Sequence, residues 1–157
     1  MKYTIRELRQ TETSLLNDFL YEAIFIPEGI DPPPKTIIQR PEIQVYVENF
    51  GDREDDIALV AEVDGMVVGA VWARIMNDYG HIDDETPSLA ISLYKDYRNY
   101  GLGTEMMFQI INKLRSKGYS KISLAVQKAN YAVKMYRKVG FEVFNENDEE
   151  YIMICRL

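Results

Sequence analysis

The sequence predicts an α/β (α+β mixed) fold built around a mixed sheet, and three observations carry that reading. Two β-rich runs, 57–63 and 66–76, are joined by Asp64-Gly65, the strongest short hairpin signal a sequence can hold. The second half alternates strand-like and helix-like segments, the pattern of strand–helix–strand units. No internal repeat, low-complexity tract or long uninterrupted apolar run breaks this order.

Each element follows from its own residues. Tyr3-Thr4-Ile5-Arg6-Glu7-Leu8 alternates with period two and reads as a first strand. Thr13 or Ser14 is placed to start a helix with Leu15, Leu16, Phe19, Leu20 and Ala23 on one face. Pro27-Glu28-Gly29 and Pro32-Pro33-Pro34 break that pattern and predict an extended, helix-free loop. Pro41 suits the first turn of a short helix running through Val45 and Phe50. After the hairpin, a polar interval from Asn77 to Glu85 leads into the strand Ser88–Leu93. A helix beyond Gly103 sets Met106, Met107, Ile110, Ile111 and Leu114 on one side and ends near Lys117-Gly118. Residues 121–126 form the next strand, and Asn130 is a good N-cap for a short helix stopping at Gly140. Residues 141–144 and 151–156 are two last strands about an acidic turn.

Length and charge narrow the function. The chain has 157 residues, the size of one ordinary domain, so a single domain over 1–157 is expected. With 18 Lys+Arg against 25 Asp+Glu the formal net charge is −7. A field of that sign disfavours nucleic acid and anionic membrane and favours cationic molecules. The lone Cys155 has no internal disulfide partner and nothing points to an oxidising compartment, so a cytoplasmic protein is expected. Residues 1–8 lack the apolar run of a signal peptide.

The chemistry-bearing motif is strand, short turn, Arg98-x-x-Gly101-x-Gly103, helix. The first N–H groups of a helix have no intrahelical partner and sit at the positive end of its dipole, which suits an anion. Gly101 and Gly103 allow close backbone approach to a pyrophosphate, Arg98 adds a forked cationic donor, and Thr104 adds a hydroxyl. A dinucleotide fingerprint would need a small residue where Met106 stands and an acid where Gln127 stands. A P-loop would need Gly-Lys-Ser/Thr, whereas Gly103 is followed by Thr104-Glu105.

A second segment, Asn130-x-Ala132-x-x-x-Tyr136-x-x-x-Gly140-Phe141, begins 27 residues after Gly103 with one helix and one strand between. Together the two motifs resemble the GNAT superfamily of N-acetyltransferases over about residues 57–157. The resemblance implies a mostly antiparallel mixed sheet of about seven strands, splayed at the cofactor site and flanked by about four helices. It implies acetyl-CoA as cosubstrate, no metal, and an amine acceptor. Carried onto this sequence, Arg98, Asn99, Gly101, Gly103 and Thr104 would bind the pyrophosphate. Ile91 and Leu93 would offer main-chain groups to the pantetheine and the thioester carbonyl, with the Leu93 N–H facing the oxyanion. Asn130 would hydrogen-bond the pantetheine region and Tyr136 would face the sulfur.

A phenol of reference pKa ~10 can donate to a thiolate leaving group of parent pKa ~8.5, which gives Tyr136 a chemical rationale. The plainer reading of Tyr136 is a packing residue between helix and sheet. The base that takes the amine proton is open, with Glu85, His81 and Glu28 as candidates, beside a solvated-turn reading of Asp83-Asp84-Glu85. The loop from Ile26 to Arg40 reads either as a semi-apolar acceptor wall or as a stiff connection. Two functions of different class remain: N-acetyl transfer to a small amine, peptide N-terminus or lysine, and a catalytically silent acyl-CoA-binding or sensing module. Edge strands near the C-terminus make a homodimer an expectation.

Overall fold

In the computed structural model, which describes residues 1–157, β2 (Ile57–Val63) pairs with β3 (Met66–Arg74) across Asp64 and Gly65. Both turn residues have positive φ, 51° and 79°, the pair of left-handed conformations a two-residue type I′ turn needs. β1 (Thr4–Glu7) adds to β2, and β4 (Ser88–Leu93) adds to β3, both antiparallel. β5 (Lys121–Gln127) lies parallel to β4, and β7 (Glu150–Arg156) and β6 (Glu142–Glu146) follow antiparallel. The sheet therefore has seven strands in the order β1-β2-β3-β4-β5-β7-β6.

Helices cover both faces. α3 (Leu102–Ser116) buries Leu102, Met106, Met107, Ile110, Ile111 and Leu114 against the side of the sheet that carries Leu59, Val71, Leu89 and Ile122. α1 (Leu15–Ala23) buries Leu16, Phe19 and Leu20 against Val60, Ala70 and Trp72 on the opposite side. Because both faces are covered, β2 and β3 read as nearly continuous apolar runs rather than as alternation. α4 (Ala132–Lys138) is short and packs Tyr136 into the α3 side. No helix is long and apolar enough to cross a membrane.

Two local expectations are corrected. The helix that starts at Pro41, α2, spans only Pro41–Gln44, and the chain runs on as turns to Gly51 instead of as helix through Phe50. The cause is tertiary. Arg74, 1% exposed, donates to the carbonyls of Val45 (3.1 Å) and Glu48 (2.8 Å), and Trp72 Nε1 donates to that of Tyr46 (3.0 Å). Those carbonyls are the acceptors a continuing helix would have used. Arg74 is held in place by a buried, bidentate pair with Asp56, at 3.0 Å on each arm. The second correction lies in the loop after α1. The prolines hold it extended as far as Pro34, but Lys35–Gln39 then forms a 3-10 turn, its first bond running from the Ile37 N–H to Pro34 O.

Candidate active site

The parallel pair β4/β5 touches at one point only. Its ladder holds the single register Ser88↔Ser123, supported by the Ser123 N–H donating to Pro87 O at 3.0 Å. Beyond Ser88 the two strands diverge, so the sheet is split from that vertex toward their C-terminal ends. The edge left open is defined by β4's pairing with β3. The Tyr94 N–H donates to Val68 O (2.9 Å), and in an antiparallel ladder alternate residues point both polar groups to the same neighbour. Ala90, Ser92 and Tyr94 therefore face β3, while the N–H and C=O of Leu89, Ile91 and Leu93 face the gap. The Leu93 carbonyl is used within the chain, accepting from Arg98 Nε at 2.9 Å. The Ile91 N–H and C=O and the Leu93 N–H remain turned to the opening.

The far end of the gap is closed by the turn into α3. Gly101 adopts φ +80° and has nothing within 4 Å of where a Cβ would stand, so the backbone lies open. Asn99 is also left-handed, at φ 68°. The first helical bond runs from the Glu105 N–H to Gly101 O (3.2 Å), leaving the N–H groups of Gly101, Leu102, Gly103 and Thr104 ahead of it without intrahelical acceptors. At Gly103 α3 packs on α4 and the end of β4, where a Cβ would stand in ordinary contact with Met135 Sδ (3.4 Å) and Leu93 Cδ1 (3.6 Å). Arg98 is already engaged, since besides Leu93 O it pairs with Glu22 of α1 at 3.3 Å.

On the α3 side of the gap stands Tyr136, buried in the same cluster as Leu89 and Leu93 and tilted against Phe141. Burial pushes its phenol up to about 12, with a smaller contribution from Tyr131. The hydroxyl thus stays protonated at neutral pH and serves as a hydrogen-bond donor better than as a full proton donor. Asn130 opens α4, its Oδ1 accepting the Ala132 N–H at 2.9 Å, although Tyr131 occupies the N-cap position itself.

The structure does not bring the expected bases to the open edge. Glu85 is exposed on the turn before β4, six residues ahead of Ile91, a span of about 20 Å at strand rise. Its neighbour Asp83 is a turn-former, accepting from the Glu85 N–H (2.9 Å) and the Thr86 hydroxyl (2.8 Å). His81 lies nearer the vertex, with Nε2 at 3.3 Å from Asp84 and a buried Nδ1 that has no partner. Glu28 is exposed on the loop after α1.

Sequence reading missed a carboxylate at the vertex. Asp78 accepts the Ser88 hydroxyl on Oδ1 at 2.7 Å, and Ser123 Oγ donates to the neighbouring Gly80 carbonyl at 2.7 Å. The loop 78–80 is thereby pinned over the Ser88–Ser123 contact, on the α1 side of the sheet. Asp78 Oδ2 is buried without a hydrogen-bond donor. The Tyr46 phenol, which faces this carboxylate, is pushed well up by burial first, then by the Asp78 charge and by hydrogen bonding to Asp78. The only trace in the sequence is that Ser88 and Ser123 are polar positions in otherwise apolar strands.

The split sheet thus presents a free strand edge that ends at a glycine turn and a helix N-terminus. The family model for the acetyltransferase (GNAT) family matches residues 20–141. The chain belongs to the GNAT acetyltransferase family. Among curated relatives of this GNAT chain, a probable N-acetyltransferase camello from Xenopus tropicalis is 37% identical over 86 residues, which are 53% of this chain and 37% of that protein. An acetyltransferase from Sodalis glossinidius is 34% identical over 101 residues, 64% of this chain and 67% of the relative. The chain thus spans little more than a third of the first relative and two thirds of the second. The PaiA N-acetyltransferase of Thermoplasma acidophilum in complex with coenzyme A superposes with TM-score 0.72 at 19% identity, covering all of both chains. YncA of Salmonella typhimurium, solved with acetyl-CoA, gives 0.69 at 17% over 100% of this chain and 95% of its own. At those identities the likeness carries the fold, and the fold is GNAT-like.

Proposed function

We propose that this GNAT member transfers an acetyl group from acetyl-CoA to an amine. The observation that carries the reading is the free edge of β4 at Ile91 and Leu93, leading directly to the open turn at Gly101. The residues present suit the cosubstrate. A pantetheine arm, rich in amide groups, can pair with the edge as an added strand would. A pyrophosphate suits the N–H groups from Gly101 to Thr104, where the Gly101 backbone lies open. When bound, acetyl-CoA supplies the activated acyl group. The chain's part is to hold it, to present the Leu93 or Ile91 N–H to the developing oxyanion, and to donate from Tyr136 to the departing sulfur. That two GNAT structures of like fold were solved with coenzyme A or acetyl-CoA supports the same ligand here.

The test is titration calorimetry with acetyl-CoA followed by thiol release across a panel of primary amines. Saturable binding with acceptor-dependent thiol release is the expected result. Binding without release on any amine would favour a silent acyl-CoA-binding module, and no binding would overturn the reading.

A further inference from the structure

We propose that Asp78, at the vertex where β4 and β5 part, receives the acceptor as its ammonium ion and takes the first proton from it. This rests on the acetyl-transfer reading above and adds the residue and the substrate class. The argument starts from an unmet need. A carboxylate oxygen removed from water without a donor at bonding distance is costly, and Asp78 Oδ2 is in that state, faced only loosely by the Tyr46 hydroxyl, while Oδ1 is satisfied by Ser88. An N–H of a bound ammonium supplies what is missing. Gly80 lets the loop close onto β5 at this point, since a Cβ there would stand 3.3 Å from that oxygen and 3.0 Å from Ala125 N, and so holds Asp78 over the vertex.

The position suits the chemistry. Ser88 and Ser123 form the last contact before the gap, and both hydroxyls turn to the 78–80 loop. The first free edge groups, those of Ile91, lie three residues further on, about 10 Å along the strand. An amine held at Asp78 would therefore lie at the closed end of the gap, on the α1 side, while Tyr136 stands on the α3 side. With the thioester carbonyl on the Ile91 N–H and its acetyl group toward the vertex, nucleophile and leaving group would then meet it from opposite faces of the sheet. The Tyr46 hydroxyl faces the Asp78 carboxylate, and its backbone is fixed by the Trp72 indole on its own carbonyl and by Arg74 on those of Val45 and Glu48. Tyr79, 59% exposed, is the neighbouring aromatic.

Charge defines the class of acceptor. The carboxylates of Asp78 and Glu150 both act on Tyr46, and Tyr79 is the other ionisable group acting there. Glu150 pairs with Gln127, which stands four residues along β5 from Ser123 and so on its face of the sheet. A primary amine on a neutral or cationic scaffold fits this surface, and an amino acid with its carboxylate next to the nitrogen is repelled. In the reaction Asp78 takes one ammonium proton and passes it to solvent. The freed lone pair forms the C–N bond as the C–S bond breaks, and a second nitrogen proton ends on the thiol. Ammonium and thioester thus give amide, thiol and one released proton.

The probes are amino acids beside their decarboxylated amines: tyrosine and tyramine, ornithine and putrescine, lysine and cadaverine. Each is titrated calorimetrically into the CoA-loaded protein and assayed for thiol release from acetyl-CoA. The amines are expected to bind and turn over with kcat/KM at least tenfold above their amino acids. Asp78→Asn, which keeps an acceptor for Ser88, should weaken amine binding and kcat/KM by tenfold or more and leave the CoA Kd within twofold. Unchanged amine binding in that variant, or no amine binding to the CoA-loaded wild type, overturns the inference. Absence of CoA binding itself would overturn the acetyl-transfer reading beneath it, and this inference with it. Should Asp78→Asn fail to fold, Tyr46→Phe carries the test: the acceptor KM should rise severalfold at constant CoA Kd, and an unchanged KM overturns the assignment.

Discussion

Thr104 offers a substitution that separates ligand binding from folding. It is the third residue of α3, half-buried, and its N–H is the last before the first helical bond. A glutamate at this position favours the helix, worth about 0.3–1 kcal/mol, because the dipole welcomes negative charge in the first turn. Thr104→Glu should therefore melt no lower than wild type without ligand. The same carboxylate would stand about 6 Å from a pyrophosphate seated on the N–H groups of Gly101 to Thr104. One charge against two at that distance repels by ~1.4 kcal/mol in the dielectric of water, roughly a tenfold loss in affinity. Calorimetry with CoA at low ionic strength, beside Thr104→Gln as the neutral control of like size, reads this directly. The tenfold gap should narrow in salt, because screening acts over about 8 Å at physiological ionic strength. Equal CoA affinities for the Glu and Gln variants at low salt would refute the placement of the pyrophosphate on this turn.

Three further outcomes follow from the geometry. Tyr136→Phe should keep CoA affinity and slow turnover by ~10²- to 10⁴-fold, the range of a lost general acid or its hydrogen bond; an unchanged single-turnover rate would leave Tyr136 as packing alone. Glu22→Gln removes the anion that partly neutralises Arg98 at 3.3 Å, so CoA should bind a few-fold tighter by calorimetry, and weaker binding would mean that Glu22 holds Arg98 in its binding pose. Arg6 lowers the Glu12 carboxyl from 4.5 to about 2, so its contribution is present above 4.5 and lost as pH falls toward 2. Urea midpoints for Glu12→Gln should consequently fall less over that acid range than those of wild type, and parallel pH profiles would discount the pair.

What the sequence made legible was local. Asp64-Gly65 dictated the hairpin, and the strand Ser88–Leu93 and the limits of α3 followed from turn residues and helical spacing. Gly101 was readable as a special backbone position because few other residues take φ +80°. What stayed hidden depends on residues far apart in the chain. The early end of α2 is imposed by Arg74 and Trp72, 26 to 29 residues away from the carbonyls they capture. Nothing local to Arg98 shows that Glu22, 76 residues earlier, shares its charge. Asp78 could be seen only as one of several acids in a polar interval, since its place over the vertex is fixed by Ser88 and, through Gly80, by Ser123. Glu85 looked better placed because it is closer to β4 in sequence, yet it sits ahead of the vertex, on the closed side of the split.

The central claim is that the open edge of β4 is completed by the cofactor arm, and amide hydrogen exchange resolved by residue tests it most directly. In the free protein the amides of Ile91 and Leu93 should exchange quickly, while those of Ala90, Ser92 and Tyr94, paired with β3, are protected. With saturating acetyl-CoA, protection should rise strongly at Ile91, Leu93 or both and change little at the three alternate positions. Unaltered exchange at Ile91 and Leu93 under saturation would contradict the account, because the ligand would then be bound somewhere other than in the gap between β4 and β5.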